Sequence, residues 1–350
     1  MRKNLVSVIT PCYNSAKFVH RLLDSILMQT HLDVEMFTID DGSTDDTSRV
    51  IQSYIPRFKQ RGYSLTYIFQ ENSGQSEAIN KGLKLINGEY FIWPDSDDYY
   101  TDPDAFATMV QALSQSDSSV GTVRCGFSYV DESSLTPRYT HCFSKQEAAT
   151  RQLFNDCLLQ LNNFHYACLS FMHRTSALFD TIPDKTIYTQ KKAGQNSQLM
   201  LPVFYHYKCV TLDGVFCNIT ERASSHSRKM TKGLNELLAK EGIYKDTILE
   251  TLKRIPNIPD DTRKKLGQAV RLKYATITYR ACIHSKKLKS WAELYRNRNY
   301  VGISWYLDFI TPFTRYTLFN VIISFCEHIR ILTWRAKNLI SKITKINKND

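Results

Sequence analysis

Three carboxylates, Asp95, Asp97 and Asp98, follow an aromatic and apolar run in "GEYFIWPDSDDYY" (residues 88–100). Carboxylates packed this closely repel one another, so water, a cation or a hydroxyl-rich ligand must offset the cost. Three more polar clusters share this placement at the end of an apolar run: "PCYN" from Pro11, "DDGSTDD" from Asp40 and "QENSGQ" from Gln70.

The elements that would position these clusters are readable from periodicity. "LVSVIT" (5–10), "EMFTID" (35–40), "SLTYIFQ" (64–70) and "EYFIWP" (89–94) read as short strands, the first a β-branched run suited to burial on both faces. Helices fit 15–29, with Phe18, Leu22, Leu23, Ile26 and Leu27 on one stripe and Ser15 as cap. Two more fit 47–58 and 73–86, the last ended by Gly88. This alternation predicts an α/β fold with a doubly wound, mostly parallel sheet. Ligands of such sheets gather at the carboxyl ends of the strands, where all four polar clusters fall.

Further on, 119–131 reads as a strand, 145–200 as mixed helix and loop, and 208–222 as a hairpin turning at Asp213-Gly214. From about 230 the pattern is helical and basic. Residues 1–120 carry a net charge of −6 and residues 222–350 one of +16, which points the two parts at different partners. The basic part suits an anionic surface, or is simply a solvated helical face. Its apolar stretch 305–334 has no uncharged run near the roughly 20 residues that span a bilayer. That stretch is expected either to pack on the core or to lie in a membrane interface, flanked by Arg315, Arg330, Arg335 and Lys337. Nine dispersed cysteines without CxxC spacing read as reduced thiols, and the N-terminus reads as a first strand, not a signal peptide. A cytoplasmic protein, at the inner face of the plasma membrane or free of it, is expected.

"VSVITPCYN", "IDDGSTDDT", "NSGQSEAINKGL" and "GEYFIWPDSDDYY", in this order, resemble the inverting glycosyltransferase family 2 of the GT-A fold. The resemblance covers roughly residues 5–130, with a fainter echo to 228. It implies a GT-A domain over 1–228, with a nucleotide-sugar-binding half at 1–120 and an acceptor half at 121–228. Residues 229–350 would be a basic helical C-terminal region. It implies Mn²⁺ or Mg²⁺ held by Asp97 and by His226 of "ERASSHSRK", neutralising the departing diphosphate. Asp95 would lie near the ribose or a metal-bound water, with Ser96 beside it and Arg222 near the phosphates. Asp41 would accept a hydrogen bond from N3–H of uracil, selecting a UDP- or dTDP-sugar. Tyr13 would stack on the base, Pro11 would offer its carbonyl, and Asn72 and Gly74 would form the loop under the donor. Asp45 and Asp46 fit a helix start instead. The family often has an arginine just before the asparagine matched by Asn80, where this chain has Ile79.

The resemblance also implies a general base that takes the acceptor hydroxyl's proton. The family's usual Glu-Asp pair falls on Gln195-Asn196 of "KKAGQNSQLMLPVFY", and an amide cannot accept that proton at neutral pH. Asp184, His206, Glu221 and His226 are the substitutes in the chain. The leading reading is transfer of a sugar to a hydroxyl of a glycan or lipid-linked acceptor in surface polysaccharide assembly. The alternative is a protein of this type that binds nucleotide or glycan with little or no catalysis. A nucleic-acid binder lacks any recognition motif and is opposed by the acidic front. A dinucleotide-dependent dehydrogenase lacks GxGxxG after the first strand.

Overall fold

The computed structural model describes residues 1–190, 192–222 and 233–285. His226 and the apolar stretch 305–334 lie outside them. The described residues form two compact units, one of 1–222 with 254–256 and one of 233–253 with 257–285.

The first unit is built on one nine-stranded sheet. Its strands are β1 (Arg2–Cys12), β2 (Val34–Asp41), β3 (Ser64–Gln70), β4 (Gly88–Ile92), β5 (Tyr99–Tyr100), β6 (Val120–Asp131), β7 (Pro137–His141), β8 (Phe171–Arg174) and β9 (Lys208–Glu221). They run in the order β3-β2-β1-β4-β8-β6-β9-β5, with β7 on the far end of β6. β3, β2, β1 and β4 are parallel neighbours, whereas β8 is antiparallel to both β4 and β6. The parallel half therefore matches the alternation in the sequence, because each return between parallel strands needs a crossover helix.

Those crossovers are α1 (Val19–Leu27), α2 (Thr47–Arg61) and α3 (Gln75–Leu83). Val19, Leu22, Leu23 and Ile26 form the buried stripe of α1, each worth about 1.5–3 kcal/mol relative to exposure. Ile51, Tyr54 and Phe58 do the same for α2, which Gly62 ends at φ +85°. α3 lies so close to β1 that a Cβ on Gly82 would meet Ile9 Cγ2 at 2.6 Å. The chain continues through α4 (Ala105–Ser114), α5 (Lys145–Ala149), α6 (Phe154–Leu159), α7 (Thr175–Thr181) and α8 (Asn196–His206). The second unit contributes α9 (Leu234–Arg254), apart from its last residue, and α10 (Asp260–Ser285).

Three local expectations are corrected. Residues 208–222 are not a hairpin: β9 runs parallel to β6 along its whole length, from Val120↔Lys208 to Asp131↔Glu221. The Asp213-Gly214 step, with Gly214 at φ +105°, is absorbed as an irregularity within one strand because β6 offers hydrogen bonds on both sides of it. Ser15 does not cap a helix; α1 starts four residues later and the Ser15 hydroxyl is used elsewhere. Gly88 does not end α3, which stops at Leu83. It opens β4, where a Cβ would lie 2.5 Å from the Leu5 carbonyl oxygen.

Candidate active site

The carboxyl ends of β1, β2, β3 and β4 form one rim, and the predicted site residues of the first 100 positions lie along it. Pro11 is the penultimate residue of β1, in register with Ile39 of β2, and Tyr13 just beyond the strand is 53% exposed. Ser15 Oγ lies 2.7 Å from Ser96 Oγ, a link between the β1 and β4 loops. Asp45 is tied to the start of α2, where its Oδ1 accepts from the Thr47 amide, and Asp46 is the residue before the helix.

Asp41 is buried at the end of β2 and organises the loop after β3. Its Oδ1 accepts from Gln70 Nε2 and the Ser73 amide, both at 2.8 Å, and its Oδ2 accepts from the Gly74 amide at 2.9 Å. Asn72 Nδ2 donates to the Asp41 carbonyl. Gly74 needs its glycine, at φ +100°, and so does Gly42 at φ +80°, where a Cβ would sit 2.9 Å from the Asn72 nitrogen. An ionised carboxylate offers about four acceptor sites, so three hydrogen bonds leave Asp41 limited capacity for a ligand.

Asp95 follows β4 and is held by two glutamines. Gln75 Nε2 of α3 donates to its Oδ1 at 2.8 Å and Gln195 Nε2 donates to the same oxygen at 3.1 Å. The Cys168 thiol lies 3.6 Å from the other oxygen. Asp97 pairs with Arg222, Nε to Oδ2 2.6 Å, and that guanidinium also lies 4.7 Å over the Phe18 ring. Asp98 accepts from the Thr220 amide at 2.9 Å, while the Thr220 hydroxyl donates to the Asp97 carbonyl.

Burial dominates the electrostatics of this cluster. It pushes Asp95 up to about 6, with the Asp97 charge adding to the effect. Asp97 is raised by burial against the opposing pull of Arg222, and Asp98 well above the usual carboxylate range by burial and then by Asp97 and Asp95. Cys168 is raised by burial and the nearby Asp95, which keeps it a thiol. Asp95, Asp98 and Cys168 each offer a ligand atom within 4.8 Å of the others. Desolvated, mutually repelling carboxylates with hard oxygen atoms fit Mg²⁺ or Mn²⁺, and Arg222 already places a positive charge on Asp97.

Asn196 opens α8 with both ends of its amide engaged. Trp93 Nε1 donates to Oδ1 at 3.0 Å and Nδ2 donates to the Tyr166 carbonyl at 3.1 Å. Trp93 is itself stacked on Phe91 at 5.3 Å and on His173 at 4.7 Å, so this corner is rigid. Of the substitute bases, Asp184 accepts from the Thr186 hydroxyl and His206 Nε2 lies 3.0 Å from the Pro256 carbonyl. Among the described residues these partners lie away from the Asp95–Asp98 cluster. Glu221, the last residue of β9, precedes Arg222. Sequence reasoning missed Cys168, Gln75 and Thr220. Gln75 lay inside a recognised motif without a role, whereas nothing local distinguishes Cys168 from the other cysteines.

The sequence profile described as Glycosyl transferase family 2 matches residues 7–179. An uncharacterised glycosyltransferase of Rickettsia typhi is 35% identical over 130 residues, 37% of this chain and 38% of that protein's own length. Among solved structures, Staphylococcus aureus TarS 1–349 in complex with UDP-GlcNAc superposes with a TM-score of 0.59 at 17% identity, over 85% of this chain and 82% of that one. The mannosyltransferase PcManGT of Pyrobaculum calidifontis, in complex with GDP-Man and Mn²⁺, gives 0.52 at 16% identity over 99% and 87%. At such identities the structural likeness speaks for the fold alone, and it agrees with the sheet order and strand-end rim described above. Through residues 7–179 this chain belongs to glycosyl transferase family 2, and its fold is GT-A.

Proposed function

We propose that the protein is a metal-assisted, inverting glycosyltransferase that moves a sugar from a UDP- or dTDP-sugar to a hydroxyl of a glycan or lipid-linked acceptor in surface polysaccharide assembly. The observation that carries this reading is the set of three carboxylates at the end of β4, Asp97 and Asp98 buried and Asp95 half-buried, opposed by one arginine. Residues 1–120 would bind the donor and residues 121–228 the acceptor. The complexes of TarS with UDP-GlcNAc and PcManGT with GDP-Man and Mn²⁺ support a nucleotide-sugar donor, though their bases differ.

Asp97, with Asp95 and Asp98 beside it, would hold the cation. When bound, that cation supplies charge neutralisation for the departing diphosphate. Arg222 would exchange its bond with Asp97 for one with a phosphate oxygen. Asp41 would face the base by its remaining acceptor capacity, with Tyr13 and Pro11 beside the ring and Ser96 near the sugar. The loop of Asn72 and Gly74 would lie under the donor. His226 would add a ligand to the cation.

Calorimetric titration of UDP, dTDP and GDP, each with and without Mn²⁺, tests this reading. Manganese-dependent binding of UDP or dTDP that Asp97→Ala abolishes is the expected result, and absence of nucleotide binding under every condition would overturn it. Among the described residues no helix is long and apolar enough to cross a membrane. A peripheral contact of the basic C-terminal region with an anionic membrane is part of the proposal, and flotation with liposomes that is indifferent to anionic lipid would remove it.

A second reading is favoured by Asn196. An amide stands at the position of the usual base, held at both ends by Trp93 and Tyr166, which suits a protein that binds its ligand without turning it over. Donor hydrolysis or transfer at any measurable rate, lost in Asp97→Ala, would decide against it.

A further inference from the structure

A cavity of about 360 Å³ opens between β6, α5 and the 160–165 loop. That volume lies within the roughly 300–1,000 Å³ of small-molecule sites. None of the strand-end motifs falls in it. Its walls are aromatic: the Phe127 and His141 rings stack at 5.2 Å, His165 meets Phe127 edge-on at 5.3 Å, and Phe143 meets His141 edge-on at 4.7 Å.

Against these rings stands a buried cation. Arg124 is 6% exposed and lines the cavity from β6, with its guanidinium 4.0 Å over the Phe143 ring. Its Nε donates to Thr211 Oγ1 at 2.9 Å and one Nη2 hydrogen to the Glu147 carbonyl at 3.1 Å. A guanidinium has five N–H donors, so hydrogens remain for a further acceptor. Among the described residues no carboxylate oxygen pairs with it, and a buried charge left in that state is costly. A ligand oxygen would offset the cost.

The rest of the lining says which ligand. Glu147 and Asp156 face the same space, and Asn162 Nδ2 donates to Asp156 Oδ1 at 2.9 Å. Asn162 and Asn163 both hold left-handed backbone, at φ 48° and 53°, a region in which asparagine is enriched among non-glycine residues. Burial keeps His141 and His165 below the usual imidazole range, hence neutral near pH 7. One arginine against two carboxylates and two neutral imidazoles disfavours an anion. Planar donors and acceptors beside ring faces suit vicinal hydroxyls and the C–H faces of a pyranose.

One segment joins this cavity to the acidic cluster. Phe164 and His165 line the cavity, the Tyr166 carbonyl accepts from Asn196, and Cys168 touches Asp95. Three residues of extended chain span at most about 11 Å. We propose that the cavity is a neutral-saccharide subsite that anchors an inner sugar of the acceptor, Arg124 donating to its hydroxyls and Phe143 and His165 packing on its ring. This deepens the transferase reading and rests on it.

The test uses the full chain and the ring C–H resonances of His141 and His165 in NMR, assigned with His141→Gln and His165→Gln. Maltose, cellobiose, lactose and N,N′-diacetylchitobiose are titrated singly, and UDP with Mn²⁺ is titrated separately. At least one disaccharide should shift both rings. Its affinity should fall at least tenfold in Phe143→Ala and in Arg124→Lys, which keeps the charge and loses the fork, while UDP affinity stays within twofold. Phe143 is only half-buried, so its variant decides the matter if the Arg124 variant does not fold. No shift from any of the four sugars, or shifts that survive Phe143→Ala, would overturn the subsite. Failure of the wild type to bind UDP would instead overturn the transferase reading, and the sugar titrations would still decide the subsite.

Discussion

The rim at the end of β4 and the cavity beside β6 carry opposite electrostatic problems. At the rim three carboxylates crowd together with Arg222 on one of them; in the cavity a single buried guanidinium has, among the described residues, no carboxylate paired with it. The rim is assembled from loops that follow parallel strands in chain order, each reached by one crossover helix. The cavity is assembled from β6, α5 and a loop of unusual backbone, segments that come together only because β7 and β8 pair antiparallel with β6. Parallel strand ends make a site whose parts can be read off one by one. The mixed half makes one whose parts have no common signature.

The comparison breaks most sharply if the rim does not depend on its carboxylates. Asp97→Ala should lower manganese-dependent nucleotide affinity by tenfold or more in calorimetry, whereas Phe143→Ala should leave it alone. Equal effects of the two would mean that the regions are not separate in function. Next in size is packing: Gly82→Ala pushes a methyl into Ile9 and should cost about 1–3 kcal/mol in urea unfolding, with the rim displaced.

The two regions should also answer pH in opposite directions. Asp95 is raised from 3.8 to about 6, so from about pH 4 to 6 the unfolded chain ionises first, and stability falls as pH rises through that window. His141 and His165 are lowered from 6.5, so the unfolded chain protonates first and their contribution is lost as pH falls below about 6.5. Without divalent cation, Asp95→Asn should raise the Tm more at pH 8 than at pH 4, and His141→Gln should narrow the acid-side loss. A gain from Asp95→Asn that is the same at both values would sink the rim half of this argument. The smallest effect is local: Ser144 closes a capping box with Glu147 at the start of α5, and Ser144→Ala should cost about 1 kcal/mol by thermal melting.

Much of the parallel half was legible because β1, β2 and β4 are buried on both faces and the helices on one, which leaves runs and stripes in the chain. The ends of elements were less so. Ser15 looked like a cap, but the hydroxyl found a better partner in Ser96, eighty-one residues away. Asp213-Gly214 looked like a turn, yet pairing with β6 on both sides kept it as an irregularity within one strand. Arg222 could be named from its position in the sequence; its bond to Asp97 could not.

The amino-acid sequence by itself determined the family, the alternation of strand and helix, and the carboxylates at the end of β4, because these depend on local pattern and on residue type. Only the tertiary structure decided what each carboxylate touches, that Asn196 is locked between Trp93 and Tyr166, and that Arg124 faces a cavity. Those outcomes depend on groups far apart in the chain, and burial sets their energy, a property of the packed molecule that no single stretch of residues carries.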